Sequence, residues 1–507
     1  MLEVLGISTW FVLLVCAMVC IPLFLAARFF HSVFDVSWRP PAISPSVVDF
    51  GLGALALSLL IVLVQSVTAH DREDREILRV FLSPEGSISV VQNWSVAPSP
   101  ILEQREVEVR RSYVPAEDGP RPNVVIVVVD ALRSDHLGGY GYSRSVSPAI
   151  DAWATPAGAA TIPFARSVCA ESSCGLLAIA RSKYPWETTR SDFSLYDVLK
   201  LHGYRNYFYL SGDHTNFYGL RDTYSPYDLY IDSTEIKGAY LNDDYALIEA
   251  FKDVPIFDGT PTFMQFHLMS VHGLGSRRPE FVRYAPYVNP YRIHLGGRLP
   301  SRVEIDRVVN FYDNGMLQLD AVFQQLTEIL AAKGYLEDAL IVLTGDHGEL
   351  LGEGGLVTHA RSTKEAVLAV PMIIRRIGGD ANSQRPPMSG IASQIDIAPT
   401  VLREIGATIP QTWSGLPLQE SVEQRVLFFA QGAQRGLYHA SPVGIFKYTV
   451  DTSDGSAKVE RALDGIRFEP VSAPLDDAGR LRSDEWQSML HAEIGPGWSG
   501  KNEGDEP

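Results

Sequence analysis

The stretch Asn123-Val-Val-Ile-Val-Val-Val-Asp130 decides the fold of this 507-residue chain. Its unbroken run of β-branched residues is typical of a strand that is buried on both faces of a parallel sheet. Leu340-Ile-Val-Leu343 predicts a second strand of this kind, and Phe263–Phe266 predicts a weaker third one. Between these two, Val303–Leu330 carries apolar residues at helical spacing. Strands that alternate with helices predict an α/β domain with a mostly parallel central sheet and helices on both faces.

The composition limits the classes of protein to which the chain can belong. The length suggests about three domains. With 46% hydrophobic and 20% charged residues, the chain buries a large core and is not disordered overall. The net charge of −17 argues against a nucleic-acid partner, because binding phosphates needs a basic surface. Four cysteines are too few for a disulfide scaffold or for a cysteine-based zinc module of the usual spacing.

Two apolar runs stand out near the N-terminus, Ile7–Ala27 and Val47–Ala69. At about 1.5 Å per residue, each is long enough to cross the ~30 Å hydrocarbon core of a membrane. A cleaved signal peptide is the alternative for the first run. The residues before it include Glu3 and no Lys or Arg, and no clear small-x-small cleavage site follows. We therefore predict two transmembrane helices within residues 1–70.

The orientation of these helices follows from the basic residues around them. The loop between the two runs holds Arg28 and Arg39, whereas the N-terminal tail holds neither Lys nor Arg, which favours a cytoplasmic loop. Arg72, Arg75 and Arg79 after the second run act in the opposite direction and weaken this bias. We predict a multi-pass protein of the inner (cell) membrane whose catalytic domain is extracytoplasmic.

The rest of the chain divides into three segments. Residues 71–122 are rich in proline and charge and predict a juxtamembrane linker or arm, with one strand around Ser87–Val91. Residues 123–450 contain the predicted strands and helix and form the α/β domain. Residues 451–507 are predicted to be a C-terminal extension.

Polar residues follow both of the strongly predicted strands at the point where each ends. Asp130 follows the first strand, and by itself it is as well explained as a helix N-cap as a functional carboxylate. Asp346 and His347 follow the second strand, within Thr344-Gly-Asp-His-Gly348. A carboxylate beside an imidazole suits Zn²⁺ or Mn²⁺, although a polar glycine-rich turn is the alternative. Because α/β folds place their chemistry at the carboxyl ends of strands, we predict part of a metal site here.

Together these segments resemble the alkaline phosphatase superfamily, in particular its sulfatase-like branch. The lipoteichoic acid synthases (phosphoglycerol transferases) and the lipid phosphoethanolamine transferases are the members that the chain resembles most. The strongest match is Asp346-His-Gly-Glu-x-x-Gly-Glu-x-Gly-x-x-x-His359, and Val370-Pro-Met-Ile-Ile and Ile395-Asp-Ile-Ala-Pro-Thr400 are further matches. The resemblance runs from about Asn123 to Val450 and implies a sulfatase-like catalytic domain.

In this family the nucleophile opens a helix, where free amides and the helix dipole favour an anion. The matching segment is Ser167–Pro185, and counting back from Tyr184-Pro185 as in the synthases reaches Ser172, with Ser173 as the alternative. Cys169 fits the sulfatase pattern Cys-x-x-Ser. The segment lacks the Pro and Arg that formylglycine formation requires, which argues against sulfate-ester hydrolysis.

Cys169 and Cys174 bracket the proposed nucleophile. In an exported domain they would form a disulfide that braces the loop, and the alternative is two small buried hydrophobic residues. The sequence leaves both interpretations open.

Two other segments resemble parts of the family site. Phe263-Met-Gln-Phe-His-Leu-Met-Ser-Val-His-Gly273 is similar to the transferase His-x4-His-Gly segment, which favours His272 over His267 as the active histidine. Gly212–Arg221 resembles the headgroup segment of the synthases and implies that Tyr218 and Arg221 bind substrate. Ser211 replaces a histidine of the synthases, and His214 is the candidate substitute.

The resemblance implies one divalent metal ion, Zn²⁺ or Mn²⁺ with Mg²⁺ or Ca²⁺ as alternatives. Its ligands would be Asp130, Ser172, Asp346 and His347. Ser172 would take a phospho-headgroup, phosphoglycerol or phosphoethanolamine, from a membrane phospholipid donor and pass it to an envelope glycan or lipid acceptor. His272 and His359 would stabilise phosphoryl oxygens or move protons.

Two other classes of function stay open on the sequence alone. A membrane-anchored phosphodiesterase or sulfatase-like hydrolase would use the same site with water as the acceptor. A scaffold protein with a degenerate domain would lack metal ligands, whereas all four expected positions are filled here.

The predicted orientation has a direct test. A phosphatase reporter that is active only outside the cytoplasm is expected to be active when fused to the C-terminus and inactive when fused after Pro40, between the two apolar runs. An inactive C-terminal fusion that is expressed at the level of the control would overturn the orientation.

Overall fold

The structure is a computed structural model that describes residues 100–494 except 117–118, 157, 237–240, 295–298, 360–361, 379–389, 421, 423 and 472–476. All of these residues belong to one compact unit, Ser87–Pro507. The two transmembrane helices predicted within residues 1–70 and the strand predicted at Ser87–Val91 lie outside the described residues. Within the described part of the chain, none of the helices has the length and apolar character to cross a membrane.

Sixteen strands and ten helices make up the described unit. The strands are β1 Asn123–Val129, β2 Ala159–Thr161, β3 Ala165–Arg166, β4 Arg205–Leu210, β5 Leu229–Asp232, β6 Thr262–Leu268, β7 Ala339–Gly345, β8 Leu350–Leu351, β9 Val357–Thr358, β10 Met372–Ile377, β11 Ala392–Ser393, β12 Arg425–Gln431, β13 Gln434–Ser441, β14 Gly444–Asp451, β15 Ala457–Ala462 and β16 Phe468–Pro470. The helices are α1 Pro100–Ser112, α2 Pro148–Trp153, α3 Ser172–Arg181, α4 Leu195–Leu201, α5 Asp244–Phe251, α6 Pro290–His294, α7 Arg302–Ala332, α8 Glu365–Leu368, α9 Ile397–Glu404 and α10 Asp477–Ile494.

The central sheet has seven strands in the order β2-β10-β7-β1-β6-β4-β5. The five strands from β7 to β5 run parallel, and β10 is antiparallel to its neighbours β7 and β2. The predicted strands at residues 124–129, 263–266 and 340–343 are confirmed as β1, β6 and β7. The prediction of a mostly parallel sheet is confirmed as well.

The β1 strand is buried along its whole length, as its β-branched run predicts. Val124, Ile126 and Val128 pack on one face with the apolar residues of α3, α4 and α9. Val125 and Val127 pack on the other face with the apolar stripe of α7. Helices therefore cover both faces, as predicted, and α7 confirms the helix predicted at residues 303–330.

The register of the parallel strands brings predicted site residues together. Val129 lies beside Leu268 of β6 and beside Gly345 of β7. Asp130 and Asp346 each follow directly after these aligned positions, so their side chains emerge at the same edge of the sheet. The fold therefore gathers residues that are far apart in the sequence.

A second, antiparallel sheet of five strands, β12 to β16, follows the main domain. It runs from Arg425 to Pro470, so the predicted boundary at residue 450 falls inside β14. The α10 helix packs on this sheet through Trp486, which is buried beside Leu437 and Tyr448. The sequence analysis did not predict this sheet or the packing of α10 on it.

The α1 helix lies within the segment that was predicted as a linker, and a buried ion pair attaches it to the domain. Glu106 accepts a hydrogen bond from Lys183 Nζ at 2.5 Å, and both side chains are 3% exposed. Lys183 also contacts Asp192 at 2.7 Å and lies just beyond the end of α3. The helix is therefore joined to the segment that follows α3.

Removing Glu106 leaves Lys183 paired with Asp192 alone and deprives the buried amide of Phe193 of its acceptor. Glu106→Ala is therefore expected to lower the free energy of unfolding by about 2 kcal/mol, measured by urea denaturation. Glu249→Ala, which removes the exposed Glu249–Lys252 pair, serves as the control and is expected to change it by about 0.5 kcal/mol or less. Equal small changes in both variants would contradict a structural role for the buried pair.

Candidate active site and metal centre

Two loops at the carboxyl edge of the central sheet carry the predicted metal ligands. Asp130 follows β1, and the backbone amide of Ala131 donates to Asp346 Oδ1 at 3.0 Å. His347 donates from Nδ1 to the carbonyl of Gly348 at 2.7 Å, which fixes the tautomer and leaves Nε2 free to accept. Nε2 lies 3.6 Å from Asp130 Oδ1 and 3.7 Å from Asp346 Oδ2.

Ser172 opens α3 at the same place. Its hydroxyl lies 3.2 Å from Asp130 Oδ2 and 3.1 Å from His347 Nε2. The helix approaches closely because residue 175 is glycine: a Cβ there would lie 2.3 Å from the carbonyl oxygen of Asp346. Among the described contacts it is Ser172, and not Ser173, whose hydroxyl reaches this group.

The residues present fit a divalent cation. Ligand atoms of Asp130, Asp346 and His347 all lie within 4.8 Å of one another, and the three side chains are buried. Asp130 Oδ1 and Asp346 Oδ2 are buried without a hydrogen-bond partner, which is costly for carboxylate oxygens that have no cation. Two carboxylates, one imidazole and a hydroxyl are suitable ligands for Zn²⁺ or Mn²⁺.

The electrostatics of the two carboxylates differ. Burial and the neighbouring charge of Asp346 raise the pKa of Asp130 to about 7. Burial acts in the same direction on Asp346, but the nearby His347 and His267 outweigh it and hold the pKa of Asp346 well below its usual range. A cation between them would favour the charged form of both.

His267, which the sequence analysis ranked below His272, lies in this centre. Its Nε2 is buried without a hydrogen-bond partner, 3.6 Å from Asp346 Oδ2 and 3.9 Å from Asp130 Oδ2. Burial opposes a charge on this ring, yet the two carboxylates raise the pKa of His267 above its usual value. The signal in the sequence was its place at the end of a strand that pairs with β1.

The predicted catalytic histidines form a second group beside the first. Ligand atoms of His272, Glu349 and His359 lie within 4.8 Å of one another, and the rings of His347 and His359 are 4.2 Å apart. Glu349 accepts from His359 Nδ1 at 3.1 Å, and burial raises the pKa of Glu349 to about 8. Burial and the neighbouring His359 lower the pKa of His272 well below its usual value.

Glu349 was not predicted as a site residue, although it belongs to the Asp346-His-Gly-Glu match. Its Oε2 is buried without a partner, so this second group also presents an oxygen that suits a cation.

The three predicted substrate-binding residues have different positions. Tyr218 donates to Asp130 Oδ2 at 3.3 Å and therefore belongs to the centre. His214 lies behind His267, with its Nε2 3.0 Å from His267 Nδ1. The described contacts of Arg221 are with Tyr227 and Tyr230 and, at 3.6 Å, with Glu235, and its side chain is 40% exposed. The structure does not bring Arg221 into contact with the metal ligands.

Cys169 and Cys174 form a disulfide, with their Cα atoms 6.4 Å apart. This is the first of the two alternatives that the sequence left open. The bond closes a short loop around Ser172 at the start of α3, and such a loop restricts the backbone that presents the hydroxyl.

The metal centre is tested by removing its ligands. Asp346→Ala and His347→Ala are each expected to release bound Zn²⁺ or Mn²⁺ and to abolish activity. The first variant removes one of the two carboxylate ligands, and the second removes the imidazole ligand. Metal content is measured by atomic emission, and circular dichroism is expected to show a folded domain in both variants. Full metal content in both would contradict the assignment.

Comparison with known proteins identifies relatives of this site and fold. Residues 122–407 match the model of the Sulfatase family. Arylsulfatase K of Bos taurus is 32% identical over 135 residues, which are 27% of this chain and 24% of that protein. Phosphoethanolamine transferase EptA of Escherichia coli O157:H7 is 22% identical over 329 residues, which are 62% of this chain and 58% of that protein.

A solved structure extends the comparison of the fold. The C-terminal periplasmic domain of EcEptC from Escherichia coli, in complex with Zn, superimposes with a TM-score of 0.51 and 15% identity, over 63% of this chain and 92% of that chain. The aligned segments thus span about a quarter of arylsulfatase K and just over half of EptA. Because the family match covers more than half of its length, this chain belongs to the sulfatase family of the alkaline phosphatase superfamily.

Proposed function

We propose that this protein is a membrane-anchored, metal-dependent phosphotransferase that uses Ser172 as its nucleophile. It moves a phospho-headgroup, phosphoethanolamine or phosphoglycerol, from a phospholipid donor to an envelope glycan or lipid acceptor. One observation carries the proposal. Ser172 is the first residue of a buried helix, and its hydroxyl lies within 3.2 Å of both Asp130 and His347. The similarity to the phosphoethanolamine transferase EptA supports transfer rather than another use of the same site.

The candidate ligands of one divalent ion are Asp130, Asp346, His347 and the Ser172 oxygen. Zn²⁺ and Mn²⁺ suit this mixture of oxygen and nitrogen donors, with Mg²⁺ or Ca²⁺ as alternatives, and the zinc complex of EcEptC supports Zn²⁺. When bound, such an ion lowers the pKa of the serine hydroxyl and offsets negative charge on the phosphoryl group.

The residues of the chain then perform two displacements at phosphorus. In the first, Ser172 Oγ loses its proton and forms a bond to phosphorus, the bond from phosphorus to the diacylglycerol oxygen breaks in line with it, and that oxygen takes up a proton. In the second, an acceptor hydroxyl loses its proton and forms the new bond to phosphorus, the bond from Ser172 Oγ to phosphorus breaks, and Ser172 regains a proton. The free amides at the start of α3 face the phosphoryl oxygens and stabilise their charge.

The second group of residues serves the proton transfers. His359 is held by Glu349 and lies against His347, and His272 lies 5.5 Å from His359 between ring centroids. These histidines are placed to hold phosphoryl oxygens or to pass a proton to the departing oxygen.

Headgroup recognition is assigned to Tyr218 first. Its hydroxyl contacts Asp130. The ring centroid of Phe217 lies 5.0 Å from that of Tyr218, and Phe217 is 44% exposed. His214 acts through His267 rather than by direct contact. Arg221 would serve a part of the substrate that extends beyond the centre, since its side chain lies near the surface.

The domain arrangement and location are part of the proposal. Residues 1–70 would anchor the chain, residues 71–122 would join the anchor to the domain, and residues 123–450 would carry catalysis, followed by the segment 451–507. The Cys169–Cys174 disulfide supports an oxidising, extracytoplasmic location for this domain.

Hydrolysis with water as the acceptor is the second candidate, and the similarity to arylsulfatase K favours it. Sulfatase chemistry through formylglycine is disfavoured, because Cys169 is paired in a disulfide and the segment lacks the required Pro and Arg. A hydrolase of this kind would therefore be a phosphodiesterase that uses the same serine. Transfer of a radiolabelled headgroup to a lipid or glycan, rather than its release into water, distinguishes the two.

The covalent step predicts a modified peptide. After incubation of the full-length protein with total membrane lipid, mass spectrometry of the tryptic peptide 167–181 is expected to show a phospho-adduct on Ser172. Ser172→Ala is expected to remove this adduct and to lower turnover by at least about a thousandfold, since no other hydroxyl replaces the nucleophile.

Ser173→Ala is the matched control, because residue 173 is also buried and lies next in the same helical turn. It is expected to retain the adduct and measurable turnover. An adduct on residue 173 would move the nucleophile by one position. Full turnover in both variants without any adduct would exclude covalent catalysis by this segment.

A further inference from the structure

The turn that follows β1 has an unusual backbone. Ala131, which directly follows Asp130, has a φ of +62°, in the left-handed region that residues with a Cβ rarely adopt. Within the described part of the chain, Ser182 and Thr358 are the other non-glycine residues with positive φ. Such conformations persist only where the surrounding contacts enforce them.

A single hydroxyl from α7 hydrogen-bonds to both sides of this turn. Tyr312 donates from Oη to the carbonyl of Ala131 at 2.7 Å and accepts from the amide of Arg133 at 2.9 Å. The side chain of Tyr312 is 1% exposed, and its ring packs edge-on against His136 at 4.8 Å. The hydroxyl thus closes the turn from both sides.

The closed turn supports the first group of ligands. In this conformation the amide of Ala131 points at Asp346 and donates to its Oδ1 at 3.0 Å. This hydrogen bond occupies one oxygen of Asp346 and leaves Oδ2, which has no hydrogen-bond partner, directed into the centre. The same turn sets the position of the Asp130 carboxylate that immediately precedes it.

The turn also supports the second group. The guanidinium of Arg133 donates to the carbonyl of Glu349 at 2.8 Å and to the carboxylate of Glu353 at 2.6 Å. Arg133 therefore joins the turn after β1 to the loop that carries Glu349 and His359. Burial raises the pKa of the Tyr312 phenol well above its usual value, so the hydroxyl keeps its proton and its ability to donate.

We propose that Tyr312 is a positioning residue for the metal centre, which acts by holding Ala131 in the left-handed conformation that directs Asp130 and Asp346 toward one ion. It touches neither the substrate nor the ion. The proposal rests on the metal centre of the proposed function and not on which group is transferred or on which acceptor receives it.

The test measures the binding of Zn²⁺ alone to the full-length protein by competition with a chelator. The relevant Zn²⁺ is the ion that the wild type binds and the Asp346→Ala variant does not. Tyr312→Phe keeps the ring and removes only the hydroxyl, and we expect it to weaken Zn²⁺ binding about tenfold, as loss of a residue behind a ligand commonly does. Tyr204→Phe is the matched control. Its buried hydroxyl donates to the Pro122 carbonyl at 2.9 Å, just before the opposite end of β1, and Zn²⁺ affinity should be unchanged.

A second substitution separates positioning from general stability. Glycine adopts positive φ without a steric cost, so Ala131→Gly in the Tyr312→Phe background should return Zn²⁺ affinity to within about threefold of the wild type. Ala131→Gly alone should change it by less than about threefold. If Tyr312→Phe does not accumulate as folded protein, the double variant still decides. Recovery of folded protein with wild-type affinity in the double variant supports the proposal, and weakened affinity overturns it.

Two results would overturn the proposal. One is unchanged Zn²⁺ affinity in Tyr312→Phe. The other is weakened affinity that Ala131→Gly does not restore. A failure of the metal centre itself is distinguishable, because wild type and Asp346→Ala would then bind Zn²⁺ equally.

Discussion

The site depends on the parallel pairing of β1 with β6 on one side and with β7 on the other. Parallel strands end at the same edge of a sheet, so Asp130, His267 and Asp346 meet although 137 positions separate the first from the second and 79 the second from the third. The edge is buried, and two carboxylates placed there raise each other's free energy when both are charged. Burial and then the charge of Asp346 raise the pKa of Asp130 to about 7. A cation is the natural way to stabilise such a pair.

The backbone around the ligands is held tightly, which suits a site that must keep a fixed geometry. The carbonyl of Asp346 accepts hydrogen bonds from Ser167 Oγ at 2.8 Å and from Gln394 Nε2 at 2.6 Å. Gly175 lets α3 pack directly against that same carbonyl. The loop that carries Asp346 and His347 and the helix that begins at Ser172 are thus packed as one body, so movement of either side chain's backbone would disturb several buried hydrogen bonds.

Segments that contain none of the candidate ligands still support the site, because they hold α3 in place. The disulfide restrains the start of this helix, and the Lys183–Glu106 pair joins the segment after its end to α1. The C-terminal sheet also contributes, since Gln431 at the end of β12 accepts from the amide of Ala170 at 3.0 Å. The helix that carries the candidate nucleophile is therefore supported by segments before and after the α/β core.

Local pattern in the sequence determined the three central strands, the long helix α7 and the candidate ligand group Asp130, Asp346 and His347. These follow from periodicity and from short matches, which depend on neighbouring residues only. Tertiary structure alone decided that His267 joins the centre, that Arg221 lies near the surface, and that an antiparallel sheet crosses residue 450. Each of these depends on strand register or on the direction of a side chain from a distant element. Such properties are set by packing between segments that are distant in the sequence, and a local sequence pattern does not predict them.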